Sequence, residues 1–448
     1  MSAIARYFNT LGKKVAGFDR TATLLTQQLM EEGMDIHFIE DLNFIPQEYF
    51  EVRNDTIIIY TPAIPESNIE LKYFRKIEHN IYKRSEVLGL ITQKTNAIAV
   101  AGTHGKTTIS TITSLLLKES GVDCTAFLGG ISKNYDNNLL LSEKSNYVVV
   151  EADEFDRSFL RLSPTMAIIS SCDADHLDIY GDKEEIEKAF NEFITKIKPG
   201  GTLIIKAGLN LDYEANKDIN VFTYSFDGPS DYYARDVMLS HDFYIFDIVT
   251  PTMVIKNLSI SLTGLMNIEN AVAAVAIAQQ LGIPENKINK ALYQFKGIKR
   301  RFDFQIKNRN TVFIDDYAHH PEELKATITS ARDLFPGKRL TGVFQPHLYT
   351  RTRDFAEDFA KSLSLLDELI LLDIYPAREE PIKGVTSELI FDKVELDDKI
   401  LCRKDELVDL LDQTELEVLI TMGAGDIDKL VGTIKKMLLV KQKANLNF

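Results

Sequence analysis

The sequence predicts an α/β fold divided into about three domains. Apolar segments of strand length alternate with helical segments along most of the chain, which is typical of parallel sheets covered by helices. At 448 residues the chain is too long for a single hydrophobic core, and domains of ~150 residues would make three. At residues 97–108 a dense apolar segment stops at a glycine turn that opens directly into a helical pattern. Such a turn is expected where a buried parallel strand leads into a helix.

Residues 97–108, AIAVAGTHGKTT, predict a phosphate-binding loop. Backbone N–H groups and a helix N-terminus at such a turn surround a phosphate, while Lys106 reaches the outer phosphates and the Thr107 hydroxyl binds Mg²⁺. Val100 departs from the usual pattern, because it occupies the place of the first glycine. The alternative is an ordinary strand-to-helix turn, but strand, turn, lysine, hydroxyls and helix agree with nucleotide binding. The predicted contacts are Gly102, Thr103, His104, Gly105, Lys106, Thr107 and Thr108.

The composition argues against several classes of protein. A formal net charge of −15 disfavours nucleic-acid and anionic-membrane partners, although it leaves small anionic substrates open. Cys124, Cys172 and Cys402 have no metal-ligand spacing and suit a reducing compartment. Residues 1–8 lack the apolar core of a secretory signal, and the apolar stretch at residues 270–284 is too short to span a bilayer. We therefore expect a cytoplasmic protein without membrane insertion and a buried helix at residues 270–284.

The amino-terminal segment predicts the second half of a dinucleotide-type βαβ unit. Residues 1–9 predict a helix, and residues 14–19 predict a strand that ends in Asp19, a candidate substrate ligand. The strand and glycine turn that would come before this helix are not in the sequence. Either the start codon lies further upstream, which we favour, or the protein is shortened. In the second case we expect unpaired strand edges, weak substrate affinity and aggregation.

A second candidate ligand position follows the predicted strand at residues 56–60. Thr61 begins a proline-containing loop at the carboxyl end of that strand, where ligands bind in open α/β sheets. A simple proline turn accounts for the same spacing equally well.

Acidic clusters follow two apolar strands in the middle of the chain. The strand at residues 147–150 emerges into Glu151, Asp153 and Glu154, and the strand at residues 167–170 emerges into residues 173–178, DADHLD. Acids after a strand are often only solvated, but two such clusters beside a phosphate loop favour a divalent-ion site.

The next segments are less specific. Residues 221–262 predict a smaller antiparallel part of the same domain, because their alternation is of the β type. Asn267 and Asn270 open a long apolar helix, and they either cap it or face a nucleotide base.

The last third of the chain predicts a second doubly wound sheet. Residues 311–321 predict a strand that runs into a polar loop and then a helix, and further strands are predicted at residues 340–344, 368–374 and 417–421. The GAGD turn at residues 423–426 resembles a nucleotide glycine turn, but a lone G-x-G is weak evidence for a ligand contact.

Five motifs occur in one order and together resemble the Mur ligases of peptidoglycan synthesis. They lie at residues 101–108, 151–154, 173–178, 315–321 and 345–347. The resemblance covers essentially the whole chain, and five ordered motifs are highly specific to this family.

The resemblance implies a three-domain architecture. A truncated Rossmann-like amino-terminal domain at residues 1–88 would hold a UDP-sugar. A P-loop central α/β domain at residues 89–297 would bind ATP, and a Rossmann-like carboxyl-terminal α/β domain at residues 298–448 would bind an amino acid.

The resemblance also implies the reaction. An ATP-dependent ligase would join L-alanine to the lactyl carboxylate of UDP-N-acetylmuramate through an acyl phosphate, with Mg²⁺ as cofactor. We expect a cytoplasmic monomer or weak homodimer that makes peptidoglycan precursors.

The resemblance assigns site residues as well. It implies catalytic roles for Lys106, Glu151 and His176, and metal ligation by Thr107, Glu151 and His176. It places Asn267, Asn270 and Arg301 on ATP. Asp19 and Thr61 remain candidates for the sugar nucleotide. For the amino acid it implies Tyr317, His320, His347 and Arg351. Leu348 stands where the family often has arginine, which leaves fewer positive charges for the amino acid.

Three alternatives stay open at this point. A neighbouring ligase attaches a recycled murein tripeptide to the same UDP-sugar. A catalytically impaired ATP-binding relative would keep the phosphate loop without turnover. Folate-polyglutamate-type ligation fits less well, because no domain is expected there before the phosphate loop.

Overall fold

The structure is a computed structural model that describes residues 1–61, 64–173, 180–214, 216–240, 243–261, 264–377 and 379–445. The chain divides into two compact units. The first unit comprises Met1–Met238, Ile245–Ile260 and Glu269–Phe295, and the second comprises Leu239–Tyr244, Ser261–Ile268 and Lys296–Phe448.

The first unit begins with short parallel strand pairs and four helices. The helices are α1 (Ser2–Thr10), α2 (Leu24–Glu31), α3 (Ile69–Lys76) and α4 (Arg84–Gln93). Strand β1 (Ala16–Phe18) pairs in parallel with β2 (Asp35–His37), and β3 (Ile58–Tyr60) pairs in parallel with β4 (Ile81–Lys83). A reciprocal capping box between Thr23 and Thr26 starts α2, as expected for a helix that opens with hydroxyl residues. The predicted helix and strand at the start of the chain are confirmed.

The larger sheet of the first unit contains the strand that leads into the phosphate loop. Among the described residues it has ten strands in the order β14-β13-β12-β11-β10-β9-β5-β8-β6-β7. Their bounds are β5 (Asn96–Ala101), β6 (Thr125–Ser132), β7 (Asn137–Leu140), β8 (Tyr147–Ala152), β9 (Met166–Ile169), β10 (Thr202–Lys206), β11 (Asn220–Ser225), β12 (Tyr232–Ser240), β13 (Phe243–Val249) and β14 (Val254–Ile260). Strand β5 lies between β8 and β9 and runs parallel to both, so the segments after all three meet at one edge.

The expectation that residues 221–262 are antiparallel is wrong for their first strand. Strand β11 pairs in parallel with β10 and also with β12. Alternation of apolar and polar residues indicates only that one face of a strand is more exposed than the other. It does not indicate the direction of the neighbouring strands. The strands of this segment extend the large sheet.

Helices cover this sheet, and apolar contacts hold them there. They are α5 (Lys106–Ser120), α6 (Lys183–Thr195), α7 (Leu265–Gln280) and α8 (Glu285–Tyr293), with a 3₁₀ segment at Phe155–Arg161. The rings of Phe159 and Phe193 stack with centroids 5.0 Å apart and fasten α6 to the 3₁₀ segment. Residues 271–278 of α7 are fully buried, which confirms the predicted buried helix. None of the described helices is long and apolar enough to cross a membrane.

The second unit contains the predicted doubly wound sheet. Its strands are β15 (Asp303–Lys307), β16 (Val312–Asp316), β17 (Leu340–Phe344), β18 (Glu368–Leu372), β19 (Lys399–Cys402) and β20 (Val418–Met422), in the order β15-β16-β20-β17-β18-β19. Only β15 is antiparallel to its neighbour in the described pairs. Its helices are α9 (Pro321–Leu334), α10 (Tyr349–Asp354), α11 (Ala356–Leu363), α12 (Glu388–Phe391), α13 (Leu407–Gln413) and α14 (Asp428–Asn445).

Alternate residues of these strands enter two separate cores. Ile314 and Ile420 belong to one cluster, whereas Phe313 and Leu419 belong to the other. Because successive strand residues point to opposite faces, both faces of the sheet are covered. The α/β fold class is confirmed, while the exact domain joints near residues 88 and 297 stay predictions.

Candidate active site

The phosphate loop of the first unit is shaped by two glycines. Gly102 has φ = 135°, and a Cβ atom there would lie 2.1 Å from Ser170 Oγ. Gly105 has φ = 83°, and a Cβ atom there would lie 2.8 Å from Asn270 Oδ1. No other residue type fits the first position without moving a neighbour. Val100 is a fully buried member of β5, so the turn begins at Gly102.

Residues after β9 hold this loop in place. The Ser170 hydroxyl donates to the carbonyls of Ala101 and His104, and the His104 N–H donates to Ser171 Oγ at 2.8 Å. The Thr103 hydroxyl donates to Ser171 Oγ at 2.9 Å. The two serines between β9 and the second acidic motif therefore order the backbone that would face a phosphate.

Lys106 forms a buried ion pair at the beginning of α5. Its Nζ lies 2.8 Å from both Glu154 carboxylate oxygens and 2.7 Å from the Gly102 carbonyl oxygen. The side chains are 16% and 2% exposed for Lys106 and Glu154, respectively. Burial lowers the pKa of Lys106, but the negative charges of Glu154 and Asp153 outweigh that effect and raise it. The lysine is therefore held as a cation over the loop. The sequence predicts no specific role for Glu154, although its place as an acid two positions beyond the end of β8 was a signal for one.

Thr107 and Glu151 face each other beside that lysine. The Thr107 hydroxyl donates to Glu151 Oε2 at 3.1 Å, while the Ser110 hydroxyl at 3.1 Å and the Gly129 N–H at 2.6 Å donate to Oε1. Octahedral Mg²⁺ with ligands at about 2.1 Å places adjacent oxygens about 3.0 Å apart. The 3.1 Å separation of the Thr107 and Glu151 oxygens fits two such ligands.

The predicted third metal ligand, His176, lies outside the described residues, as do Asp175 and Asp178. Within the described part of the chain, no three His, Cys, Asp or Glu side chains converge as a metal site. The assignment of His176 therefore stays a prediction.

The two asparagines of α7 have different surroundings. Asn270 is buried and its side-chain oxygen borders Gly105 of the loop. Asn267 lies in the second unit, where its N–H donates to the Gly264 carbonyl at 2.9 Å. The structure therefore places Asn270 beside the phosphate loop.

The candidate sugar-nucleotide residues lie at strand ends of the first unit. Asp19 follows β1, is exposed, and accepts a hydrogen bond from the Thr21 N–H at 3.0 Å. Thr61 follows β3, and its carbonyl accepts from the Ile64 N–H at 3.1 Å. Pro62 and Ala63 lie outside the described residues.

In the second unit, two arginines enclose Tyr317. The guanidinium carbons of Arg300 and Arg301 each lie 5.1 Å from the centroid of the Tyr317 ring. Such cation–π contacts fix both the ring and the charges. Arg301 also lies 3.8 Å from Glu323. The sequence predicts no role for Arg300, although it is adjacent to Arg301.

A row of rings continues from Tyr317. The centroids of Tyr317 and His319 are 5.2 Å apart, those of His319 and His347 are 6.0 Å apart, and His347 stacks on Tyr375 at 5.9 Å. His320 is buried and packs against Phe355 with centroids 5.1 Å apart. The row thus contains His319 and Tyr375, which were not among the predicted site residues.

Asp316 ties this loop to the arginine segment. Its carboxylate accepts hydrogen bonds from the Phe302 N–H at 2.6 Å and the Ala318 N–H at 2.7 Å. Burial raises the pKa of Asp316 to about 6, against the opposing effect of the Arg301 charge. The loop geometry therefore depends on a carboxyl group that titrates in the mildly acidic range.

Arg351 and the GAGD turn lie after strands β17 and β20. Arg351 is 8% exposed and belongs to α10. A Cβ atom on Gly425 would lie 2.3 Å from Gln345 Oε1, and Gln345 Nε2 donates to Asp426 at 3.0 Å. The glycine turn thus has a packing role around Gln345.

Family comparisons match nearly the whole chain. The model described as Mur ligase family, catalytic domain, matches residues 1–95. The Mur ligase middle domain matches residues 100–278, and the Mur ligase glutamate ligase domain matches residues 300–425.

Relatives of similar length are also found. A UDP-N-acetylmuramate–L-alanine ligase from Parabacteroides distasonis is 50% identical over 438 residues, which are 98% of this chain and 95% of the relative. A protein of the same name from Flavobacterium psychrophilum is also 50% identical, with the same coverage of both chains. A solved UDP-N-acetylmuramate-alanine ligase from Thermotoga maritima superposes with a TM-score of 0.78 at 26% identity, over 98% of this chain and 97% of that one. A murein peptide ligase from Psychrobacter arcticus has a TM-score of 0.71 at 20% identity, over 98% and 96% of the two chains.

Proposed function

The chain belongs to the Mur ligase family, and from that premise we propose that it joins L-alanine to the lactyl carboxylate of UDP-N-acetylmuramate with ATP. The observation that carries the choice of substrates is the 50% identity, over nearly the full chain, to relatives named for this reaction. The observation that carries the chemistry is the buried cation Lys106 on a glycine-shaped loop at the start of a helix.

The reaction has two steps. The lactyl carboxylate attacks the γ-phosphorus of ATP, which forms an acyl phosphate and releases ADP. The amine of L-alanine then attacks the acyl carbon, and inorganic phosphate leaves. Two anions must approach each other in the first step, so a fixed cation such as Lys106 has its largest effect on the charge of that transition state.

We assign Mg²⁺ to the oxygens of Thr107 and Glu151, with His176 as a further ligand. The oxygen separation supports the first two residues. When bound, the ion would neutralise phosphate charge and orient the γ-phosphate. Glu151 is held by Ser110 and Gly129 on its other oxygen, which fixes its direction.

We assign the amino-acid site to Tyr317, His320, His347 and Arg351. The guanidinium of Arg351 matches a carboxylate in shape and charge. Asn267, Asn270 and Arg301 are proposed for ATP, and Asp19 and Thr61 for the sugar nucleotide. These roles are supported by the family motifs and by the positions described above, and each can be tested by substituting the residue.

The tripeptide ligase is the less favoured alternative. The murein peptide ligase structure shares 20% identity with this chain, which supports a common fold alone, whereas relatives at 50% identity carry the L-alanine name. We further propose a cytoplasmic protein, on the basis of its composition, and we keep the expectation of a monomer or weak homodimer.

ADP release measured with purified protein, ATP and UDP-N-acetylmuramate tests the proposal. We expect rapid release with L-alanine and little with the tripeptide or without an amine. Release with the tripeptide alone would support the recycling ligase, and ATP binding without any amine-dependent release would support an impaired relative.

A further inference from the structure

The segment that follows β18 fastens the loop that carries His347. The Tyr375 N–H donates to the Pro346 carbonyl at 2.8 Å, and the Tyr375 carbonyl accepts from the Leu348 N–H at 3.0 Å. The rings of His347 and Tyr375 are stacked with an angle of 19° between their planes. Tyr375 therefore holds the residues on either side of His347 through backbone hydrogen bonds, and it holds His347 itself through ring stacking.

The helix that carries Arg351 lacks a cap of its own. Helix α10 begins after Leu348, whose apolar side chain accepts no hydrogen bond, and the first N–H groups of a helix have no partner within it. Leu348 also has φ = 72°, which a leucine adopts only when surrounding contacts enforce it. The backbone at the N-terminus of α10 therefore depends on hydrogen bonds from residues outside the helix.

Glu379 supplies that support. Its Oε2 accepts a hydrogen bond from the Thr350 N–H at 3.0 Å, and its Oε1 accepts one from the Thr350 hydroxyl. Both carboxylate oxygens are thus bound to the residue that precedes Arg351. Because Arg351 is 8% exposed, its packing leaves little room for the guanidinium to compensate if the backbone moves.

We propose that Glu379 is a positioning residue for L-alanine, which fixes the backbone at Thr350 so that the Arg351 guanidinium meets the substrate carboxylate. This inference rests on the proposed function, because it takes Arg351 as the ligand of that carboxylate. It assigns amino-acid affinity to an acid that acts through the backbone of Thr350. The same acid should have little effect on ATP.

Steady-state kinetics of Glu379→Ala in the full-length protein test the proposal. We expect the KM for L-alanine to rise about 10-fold, because the loss of two hydrogen bonds to Thr350 frees the backbone before Arg351 and only part of their free energy is transmitted to substrate binding. The KM for ATP and the kcat should stay within about 2-fold of wild type, as for a loss of uniform binding. Glu380→Ala, at the neighbouring exposed acid, is the matched control and should leave all three values unchanged.

A second variant separates positioning from general damage. Thr350→Ala removes only the hydroxyl contact, so we expect a rise in the L-alanine KM of about 3-fold. The double variant should be no worse than Glu379→Ala by more than about 2-fold, because the hydroxyl contact is already absent there. If the KM effects of Glu379→Ala and Thr350→Ala multiply in the double variant, the two residues act independently and the inference is overturned. Equal rises in the KM for ATP and for L-alanine in Glu379→Ala would also overturn it, as would an unchanged KM for L-alanine. If wild type itself shows no alanine-dependent turnover, the proposed function fails instead.

Discussion

Replacing Lys106 with methionine would remove the cation of the buried pair while keeping a side chain of similar length. Glu154 is 2% exposed, so the substitution leaves a carboxylate buried without its partner. Breaking a buried pair in this way costs about 3–5 kcal/mol in the free energy of unfolding. The Lys188–Glu185 pair has a similar distance of 2.7 Å, but its side chains are 69% and 36% exposed. Lys188→Met should therefore cost no more than about 1 kcal/mol.

The double variant Lys106→Met/Glu154→Gln separates the structural role of the lysine from its catalytic role. Removing both charges should recover much of the lost stability, because an uncharged pair of similar shape no longer needs a counter-ion. It should not recover ADP formation, since the fixed cation at the phosphates is still absent. We expect kcat to stay at least about 100-fold below wild type in both Lys106 variants.

Urea denaturation and ADP release give the two readouts. The single variant should show a lower denaturation midpoint than Lys188→Met, and the double variant a midpoint closer to wild type. Equal midpoints for Lys106→Met and Lys188→Met would refute the expectation that breaking the buried Lys106–Glu154 pair costs more stability than breaking an exposed pair. Recovered turnover in the double variant would refute the catalytic role of Lys106.

Three further predictions concern metal, amino acid and pH. His176→Ala should raise the Mg²⁺ concentration needed for half-maximal ADP release, and an unchanged requirement would remove His176 from the metal site. Arg351→Ala should raise the KM for L-alanine far more than that for ATP in steady-state assays, whereas equal rises would place it elsewhere. Burial raises the pKa of Asp316 to about 6 in the folded protein, above about 3.9 in the unfolded chain. The protonated carboxyl therefore contributes its full stabilisation at pH values below the pKa of the unfolded chain. This contribution is lost as the pH rises through about 6. Asp316→Asn should flatten that decline in urea denaturation midpoints, and an unchanged profile would contradict it.

The sequence predicts the placement of the phosphate loop because local pattern and topology agree there. An apolar strand that ends at Gly102 and continues into a helix needs a parallel sheet, and β8 and β9 flank β5 in the structure. Residues that follow them then meet the loop, as the hydrogen bonds from Lys106 to Glu154 and from the His104 N–H to Ser171 show. Strand direction within residues 221–262 is not encoded in this local way, and the prediction is wrong for β11.

Contacts between distant segments account for the site residues that the sequence does not predict. Tyr375 and His347 are brought together by the pairing of β17 with β18, and nothing near either residue indicates it. The hydrogen bonds between Glu379 and Thr350 have the same origin. Glu154 was visible as an acid after a strand, but its pairing with Lys106 depends on how the chain turns after β8.

Transfer of ¹⁸O from the substrate carboxylate to phosphate would report directly whether that carboxylate attacks ATP. UDP-N-acetylmuramate labelled on both lactyl oxygens is converted with ATP and L-alanine, and the released phosphate is analysed by mass spectrometry. The acyl-phosphate route predicts one ¹⁸O in each phosphate, because the attacking carboxylate oxygen leaves with phosphorus, and one ¹⁸O in the new amide. Unlabelled phosphate would show that water, and not the carboxylate, attacks ATP, and would rule out the acyl-phosphate route.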